Sequence, residues 1–384
     1  MSNICKALWD SIQLSSNGDI KPCCIYKGKT PNFKDGSDIK DAWEYFEPLR
    51  EMMLNGETPA GCKICEQKIN AGGKPRKQWY DQFQRQEYTT KPDIDFKHLD
   101  INFGNKCNLK CRMCGSWGST SWFKDEAALA KLSKTYNRIY HPKEDLWQLP
   151  INYWDDKRDW FKNVQRIDFK GGEPLMQQQM IGFLQKLLEW GYAEQIEINY
   201  VTNGTKTPYE LEEVWPKFKK LVVRFSIEGT GNLYSYIRGG EHTIESLEYN
   251  IENYFSNFKN IQMGFAPTVS IYNVFDLSNC YEWFKKMTRL YPGHFLDFEN
   301  YTFDNVVTSP IYLSTSIMPK KLKVQASEKI KDIKNLRNIY DSLLLDNNGY
   351  EKAFWGTFIN FTKDLDKLRG QNVVNYIPEL KEYF

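Results

Sequence analysis

Leu99-Asp100-Ile101-Asn102-Phe103-Gly104-Asn105-Lys106-Cys107-Asn108-Leu109-Lys110-Cys111-Arg112-Met113-Cys114-Gly115 is the stretch from which the rest of the chain can be read. Leu99, Ile101 and Phe103 alternate with polar residues, the period of a β-strand, and Gly104-Asn105 end it. Three cysteines follow at once, spaced C-x3-C-x2-C. Three thiolates on one tight loop can each bind one iron of a cubic [4Fe–4S] cluster. No fourth cysteine lies near, so one iron would stay open to a ligand that is not protein. Other readings stand beside this one. Three thiols cannot all pair as disulfides, and nothing upstream has the plan of a secretion signal. Structural zinc wants four ligands, usually as two C-x2-C knuckles, whereas this loop supplies three. Spacing alone leaves cluster, zinc and inert thiols open.

Working outward, the chain has 384 residues, enough for one large domain and a smaller one. Lys+Arg 51 against Asp+Glu 49 gives a net charge of +2, so no global field points to nucleic acid or an acidic membrane. The run Lys320-Lys321-Leu322-Lys323 reads as a solvated helix face. No apolar run approaches the ~20 residues of a membrane span. The N-terminal residues lack the charged-then-apolar plan of a signal peptide. Eight of the nine cysteines precede residue 115, a clustering that suggests metal in a reducing cytoplasm.

Upstream, Ile12-Gln13-Leu14-Ser15 and Asp19-Ile20-Lys21 flank Ser16-Asn17-Gly18 and read as a β-hairpin. That hairpin would bring Cys5 towards Cys23. Cys62-Lys63-Ile64-Cys65 is a C-x2-C knuckle. Residues 66–98 read as a polar linker, then an amphipathic stretch around Trp79, Tyr80 and Phe83.

Downstream, residues 115–160 read as helix with irregular insertions. Their tryptophans (Trp117, Trp122, Trp147, Trp154, Trp160) are expected in the core, although the segment is long enough to include a lid. Further strands are expected at Val164–Lys170, Ile196–Val201, Leu221–Ile227, Ile261–Ala266 and Phe295–Phe298. Six strands separated by helices imply parallel pairing, and polar residues collect at their carboxyl ends. Ile330, Ile333, Leu336 and Ile339 recur at helical spacing in a charged C-terminal tail. Cys280 reads as a small buried hydrophobe, and His98, His141, His242 and His294 show no ligand spacing.

Gly171-Gly172-Glu173-Pro174 stands one β-α unit after the C-x3-C-x2-C loop. The pair resembles the radical S-adenosylmethionine (SAM) enzymes. In that family SAM chelates the open iron, and its reductive cleavage gives a 5′-deoxyadenosyl radical that takes hydrogen from a substrate. The resemblance implies that Cys107, Cys111 and Cys114 hold the cluster and that Gly171, Gly172 and Glu173 hold the SAM amino group. Met113 stands where relatives usually have an aromatic residue against the adenine. Ser226 and Asn203 fall at the ribose positions, and Arg238 at the place of a methionyl-carboxylate partner. The residue-level alternatives are a strand-end cap for Ser226 and a surface ion pair for Arg238.

The pattern C-x12-G-x4-C followed by C-x2-C is similar to the auxiliary-cluster module of the SPASM/twitch group. That implies a second [4Fe–4S] cluster on Cys5, Cys23, Cys62 and Cys65, with Cys23 preferred to Cys24 by its distance from Gly18. Zinc is the competitor for such a set. In most relatives the module follows the barrel; here it precedes it.

The expected architecture is α/β: a partial (β/α)6 TIM-like barrel with an N-terminal cluster module and a helical C-terminal extension. The boundaries are 1–70 for the module, 71–98 for a linker and helix, 99–310 for the barrel and 311–384 for the extension. The implied partners are a peptide or protein substrate and an external flavodoxin- or ferredoxin-like electron donor, without membrane or nucleic acid. A radical SAM enzyme acting on nucleic acid or a small metabolite, and a zinc-stabilised binding protein, are the alternatives.

Overall fold

The computed structural model describes residues 4–70, 75–85, 87–132, 148–239, 241–258, 261–298, 301–345 and 349–384. Gly72, Gly73, His141 and Trp147 lie outside the described residues.

The chain is an α/β fold with a seven-stranded, mainly parallel sheet in the order β2-β1-β3-β4-β5-β6-β7. The strands are β1 Ser11–Leu14, β2 Ile20–Lys21, β3 His98–Ile101, β4 Arg166–Phe169, β5 Glu197–Thr202, β6 Lys220–Phe225 and β7 Ile261–Phe265. The N-terminal hairpin forms where the sequence predicts it, through the antiparallel pairs Gln13↔Lys21 and Leu14↔Ile20. Its first strand also pairs in parallel with β3.

Two compact units divide the chain: Met1–Asn105 with Leu146–Tyr200 and Pro208–Leu221, and Lys106–Asp145 with Val201–Thr207 and Val222–Phe384. In the first unit, alternation within the strands sorts side chains into rungs of opposite character. Ile12, Leu99, Ile167 and Ile198 lie in register, as do Leu14, Ile101, Phe169 and Tyr200, and all eight are fully buried. They belong to a core that includes the helix Gln178–Glu189, whose Met180, Phe183, Leu184 and Leu187 recur at helical spacing and are buried. Phe183 lies 5.9 Å from the Phe103 ring, 5.1 Å from Trp154 and 5.4 Å from Phe161. Trp154 is thus core, as the sequence predicts.

In the second unit, Trp122 and Cys280 are fully buried, whereas Trp117 is 52% exposed. Of the 115–160 segment, Phe123–Leu132 in this unit is α-helix and Arg158–Phe161 in the first is a single 3-10 turn. The expected strand at Phe295–Phe298 reduces to one bridge, Met263↔Phe295, with Leu296 N–H donating to the Met263 carbonyl at 2.8 Å. Pro292 offers no N–H and Gly293 turns the chain at φ 81°, so the segment meets the sheet for a single residue. The C-terminal tail is helical at Lys320–Ile330, Arg337–Leu343 and Tyr350–Arg369. No helix among the described residues is long and apolar enough to cross a membrane.

Candidate functional site

In the first unit, Cys5, Cys23, Cys62 and Cys65 line one cavity with Ile25 and Tyr26. Cys24 is exposed and is not among the residues that line it. The hairpin side and the knuckle side are stitched by Lys27 N–H donating to the Gly61 carbonyl at 3.1 Å. The Tyr26 ring lies against Gly61 so closely that a Cβ there would stand 2.4 Å from it, which explains glycine just before Cys62. Burial pushes the Cys5 and Cys62 thiols up to about 12, and Cys23 higher still; each also feels other thiols of the set. Such thiols bind metal only by releasing protons. Among the described residues, no three His, Cys, Asp or Glu side chains stand close enough to hold a single metal ion.

The first unit also holds the Gly171-Gly172-Glu173 turn at the end of β4. Gly171 and Gly172 take φ 72° and 55°, and a Cβ on Gly171 would stand 2.4 Å from the Asn102 side chain. Glu173 is 1% exposed, and its Oε1 accepts the Leu175 N–H at 3.1 Å, capping the turn Pro174–Met176.

Beside this turn lies a feature the sequence reading missed. The second face of β1, β3, β4 and β5 carries two polar rungs: Ser11, His98, Arg166 and Glu197 in one, Gln13, Asp100, Asp168 and Asn199 in the other. His98 Nε2 meets Asp168 Oδ2 at 3.1 Å and its Nδ1 meets Ser11 Oγ at 3.0 Å. Arg166 bridges Asp168 and Glu197, each at 2.9 Å. Lys170, the residue before Gly171, donates to Asp100 Oδ2 at 2.7 Å, while Asp100 Oδ1 is buried with no hydrogen-bond partner among the described residues. Each strand shows the alternation in its sequence; that the polar side is also buried follows only from folding.

These rungs set an acid limit on stability. Burial lowers the His98 pKa below 6.5, with Asp168 only partly restoring it. Burial alone would raise Asp168, but its bond to His98 and the charges of His98, Lys170 and Arg166 outweigh it and hold the carboxyl below 3.8. The unfolded chain therefore takes up protons that the folded one refuses. Stability is present above each unfolded pKa and drains as pH falls through 6.5 for His98 and 3.8 for Asp168, by up to about 1.4 kcal/mol per pH unit and group. The urea midpoint should fall between pH 7 and 4 as the unfolded chain protonates at His98, and in Asp168→Asn it should start lower and fall further, because Asp168 is the group that raises the His98 pKa. Parallel curves for the two proteins would contradict this.

In the second unit, the loop Cys107–Cys114 turns through Cys114 N–H donating to the Cys111 carbonyl at 2.9 Å. Asn203 Nδ2 reaches Cys107 Sγ at 3.8 Å and Asn108 Oδ1 at 2.8 Å. Arg238 is buried and pairs with Glu228 at 2.8 Å. Burial would lower the Arg238 pKa, but the charges of Cys111 and Glu228 hold it well above its usual value. Burial raises the Cys111 thiol, and Arg238 is the first group to pull it back. Ser226 donates its backbone N–H to the Thr202 carbonyl at 2.9 Å and is half-buried, as is Met113. Asn203, Arg238 and the cysteine loop are thus brought together within one unit.

Residues 101–276 match the sequence model of the radical SAM superfamily. No curated protein matches the chain. Among solved structures, "Native anSMEcpe with bound AdoMet" is similar at 16% identity and a TM-score of 0.41, covering 65% of this chain and 63% of that one. "Native anSMEcpe with bound AdoMet and Kp18Cys peptide" is similar at 16% identity and 0.36, covering 63% and 62%. The chain thus spans less than two thirds of the length of the structures it matches. The Cys107–Cys114 loop and the Gly171–Glu173 turn both fall within the family match.

Proposed function

We propose that this protein is a radical SAM enzyme with a second iron–sulfur cluster, acting on a peptide or protein side chain. The observation that carries the reading is the family match that spans both the three-cysteine loop and the Gly-Gly-Glu-Pro turn. When bound, the cluster and SAM supply one-electron cleavage of the SAM sulfonium and hydrogen abstraction from substrate. The chain's residues hold and aim those groups. Cys107, Cys111 and Cys114 are the proposed iron ligands, and the Arg238 cation beside Cys111 favours its thiolate. Asn203, already within reach of Cys107, and Ser226 are assigned the ribose, Met113 the adenine face, and Gly171, Gly172 and Glu173 the SAM ammonium. Arg238 is held by Glu228, so a methionyl carboxylate would share that guanidinium.

The second cluster is assigned to Cys5, Cys23, Cys62 and Cys65, which surround a common cavity. A single zinc at ~2.3 Å from each sulfur would draw four thiolates to one point. A cube presents its irons at separate corners, each taking one thiolate, and these four cysteines line one cavity. The peptide substrate rests on the similarity of this cysteine pattern to the SPASM/twitch module. A flavodoxin- or ferredoxin-like donor would supply the electron, in a cytoplasmic compartment that keeps thiols reduced.

Anaerobically reconstituted protein should be brown, hold about eight irons per chain, and form 5′-deoxyadenosine from SAM with dithionite. Stoichiometric zinc with little iron would overturn the reading.

Glu173 offers a narrower test. Glutamine keeps an oxygen to cap Leu175 N–H and removes only the charge. A charge-assisted bond to the SAM ammonium is worth about 1.5–3 kcal/mol, so Glu173→Gln should weaken SAM roughly 10- to 150-fold with iron content unchanged. Equal affinity in anaerobic calorimetry would remove Glu173 from the SAM site.

A further inference from the structure

The cysteine loop is held from outside, and one of the holders is the far end of the chain. Cys107 O accepts from Ser121 Oγ at 2.9 Å, and Leu109 O from Ser119 Oγ. Cys111 O accepts from Trp122 Nε1 at 3.0 Å, and Lys110 O from Arg369 Nη2 at 2.8 Å. Arg112 N–H donates to the Ile237 carbonyl at 2.8 Å and Lys110 N–H to that of Gly239 at 3.3 Å. Gly239 has φ 66°, and a Cβ there would stand 2.5 Å from Lys110 O and 2.9 Å from Arg369 Nη1. The loop, the 237–239 turn and Arg369 are therefore packed as one block.

Arg112, between the second and third cysteines, extends this block into the C-terminal helix Tyr350–Arg369. Its guanidinium is fully buried, 3.6 Å from the Tyr236 ring centroid. It donates to Tyr236 O at 3.0 Å, Asp366 Oδ1 at 2.5 Å and Gln371 Oε1 at 2.7 Å. Asp366 is the hub, also accepting Tyr236 OH at 3.0 Å and Val373 N–H at 2.6 Å. One helical turn on, Arg369 pairs with Asp125 at 2.8 Å and lies over the Trp122 ring. Asp366 and Arg369 are i and i+3 on one helix and so share a face. One grips a side chain of the loop, the other its backbone.

We propose that Asp366 and Arg369 are positioning residues for the three-cysteine loop, and that the C-terminal helix is a clamp fixing where the cysteine sulfurs point. The functional part rests on the radical SAM reading; the clamp does not. The loop's carbonyls, two of its amides and the Arg112 side chain are all held by residues outside it, so these surroundings set where its three thiols point. A buried carboxylate gripping the guanidinium one residue beyond the second cysteine does this because breaking the pair would strand both charges away from water.

The test uses full-length protein with Asp366→Asn, which keeps shape and loses charge, and Arg369→Gln, which releases the backbone grip on Lys110 together with the Asp125 pair. Hydrogen–deuterium exchange of metal-free protein reads the loop without any cluster. Exchange at 106–115 should accelerate at least tenfold in either variant, while β7, Ile261–Phe265, exchanges as in the wild type. In reconstituted protein the SAM-induced change in the electron paramagnetic resonance of the reduced cluster should weaken or vanish. Iron on the N-terminal cysteines should remain. Unchanged loop exchange in both variants would overturn the clamp, as would faster exchange spread equally over β7. A clamp seen in exchange, in a wild-type protein that takes up no iron, would leave the clamp standing and remove the radical SAM reading.

Discussion

Replacing Cys107, Cys111 and Cys114 together with alanine is expected to leave about four irons per chain and no cleavage of SAM. The expectation follows from where the open iron must be. Cys5, Cys23, Cys62 and Cys65 offer four thiols around one cavity, so a cube bound there has every iron capped by protein. The loop offers three, and on the proposed reading only its cube would present an iron to SAM. Alanine removes all three ligands at once, so no two-thiolate remnant can hold a partial cluster. The loop backbone should survive, because its carbonyls are held by Ser119, Ser121, Trp122 and Arg369 and its amides by the 237–239 turn. Iron analysis and 5′-deoxyadenosine measured on the same preparation decide it. Full iron content in the triple variant would mean the loop is not a cluster site.

How much of this was legible beforehand depended on the range of the interaction. Strand positions came from alternation, a local signal, and so did the turn at Gly171-Gly172. The cysteine sets were legible as spacing, since thiol ligands must cluster in space and these cluster in sequence too. The polar rungs were half legible: His98 and Asp100 alternate visibly, but their register with Arg166 and Asp168 is a product of parallel pairing. Arg238 was legible as a residue near the site but not as the partner of Glu228, since a carboxylate ten residues away carries no mark of its pairing. The clamp was not legible at all. Asp366 and Arg112 are separated by 254 residues, and an acidic residue on a charged amphipathic helix looks like any solvated one. The strand expected at Phe295–Phe298 failed for the converse reason. Its apolar pattern was right, but the turn at Gly293 set how little of it could reach β7.

Replacing Cys62 and Cys65 with alanine is expected to halve the iron yet leave SAM cleavage running, uncoupled from substrate. Two of the four cavity thiols go, and the remaining pair, Cys5 and Cys23, are half-buried with thiol pKa values that desolvation pushes up. Thiols so reluctant to ionise bind iron only when the full set shares the cost of their deprotonation, so the residual pair should hold none. The loop cysteines lie in the other compact unit, and their supports, Ser121, Trp122, Arg238 and Arg369, all belong to that unit. Loss of the N-terminal cluster therefore leaves the loop supports intact, and dithionite can still reduce the cube there directly. The product should be 5′-deoxyadenosine formed without a modified peptide, at about half the wild-type iron. A variant that keeps a reducible loop cluster, shown by its paramagnetic signal, yet cleaves no SAM would refute the division of labour between the two cysteine sets. A variant that keeps all its iron would show that Cys62 and Cys65 are not ligands, whatever the loop does.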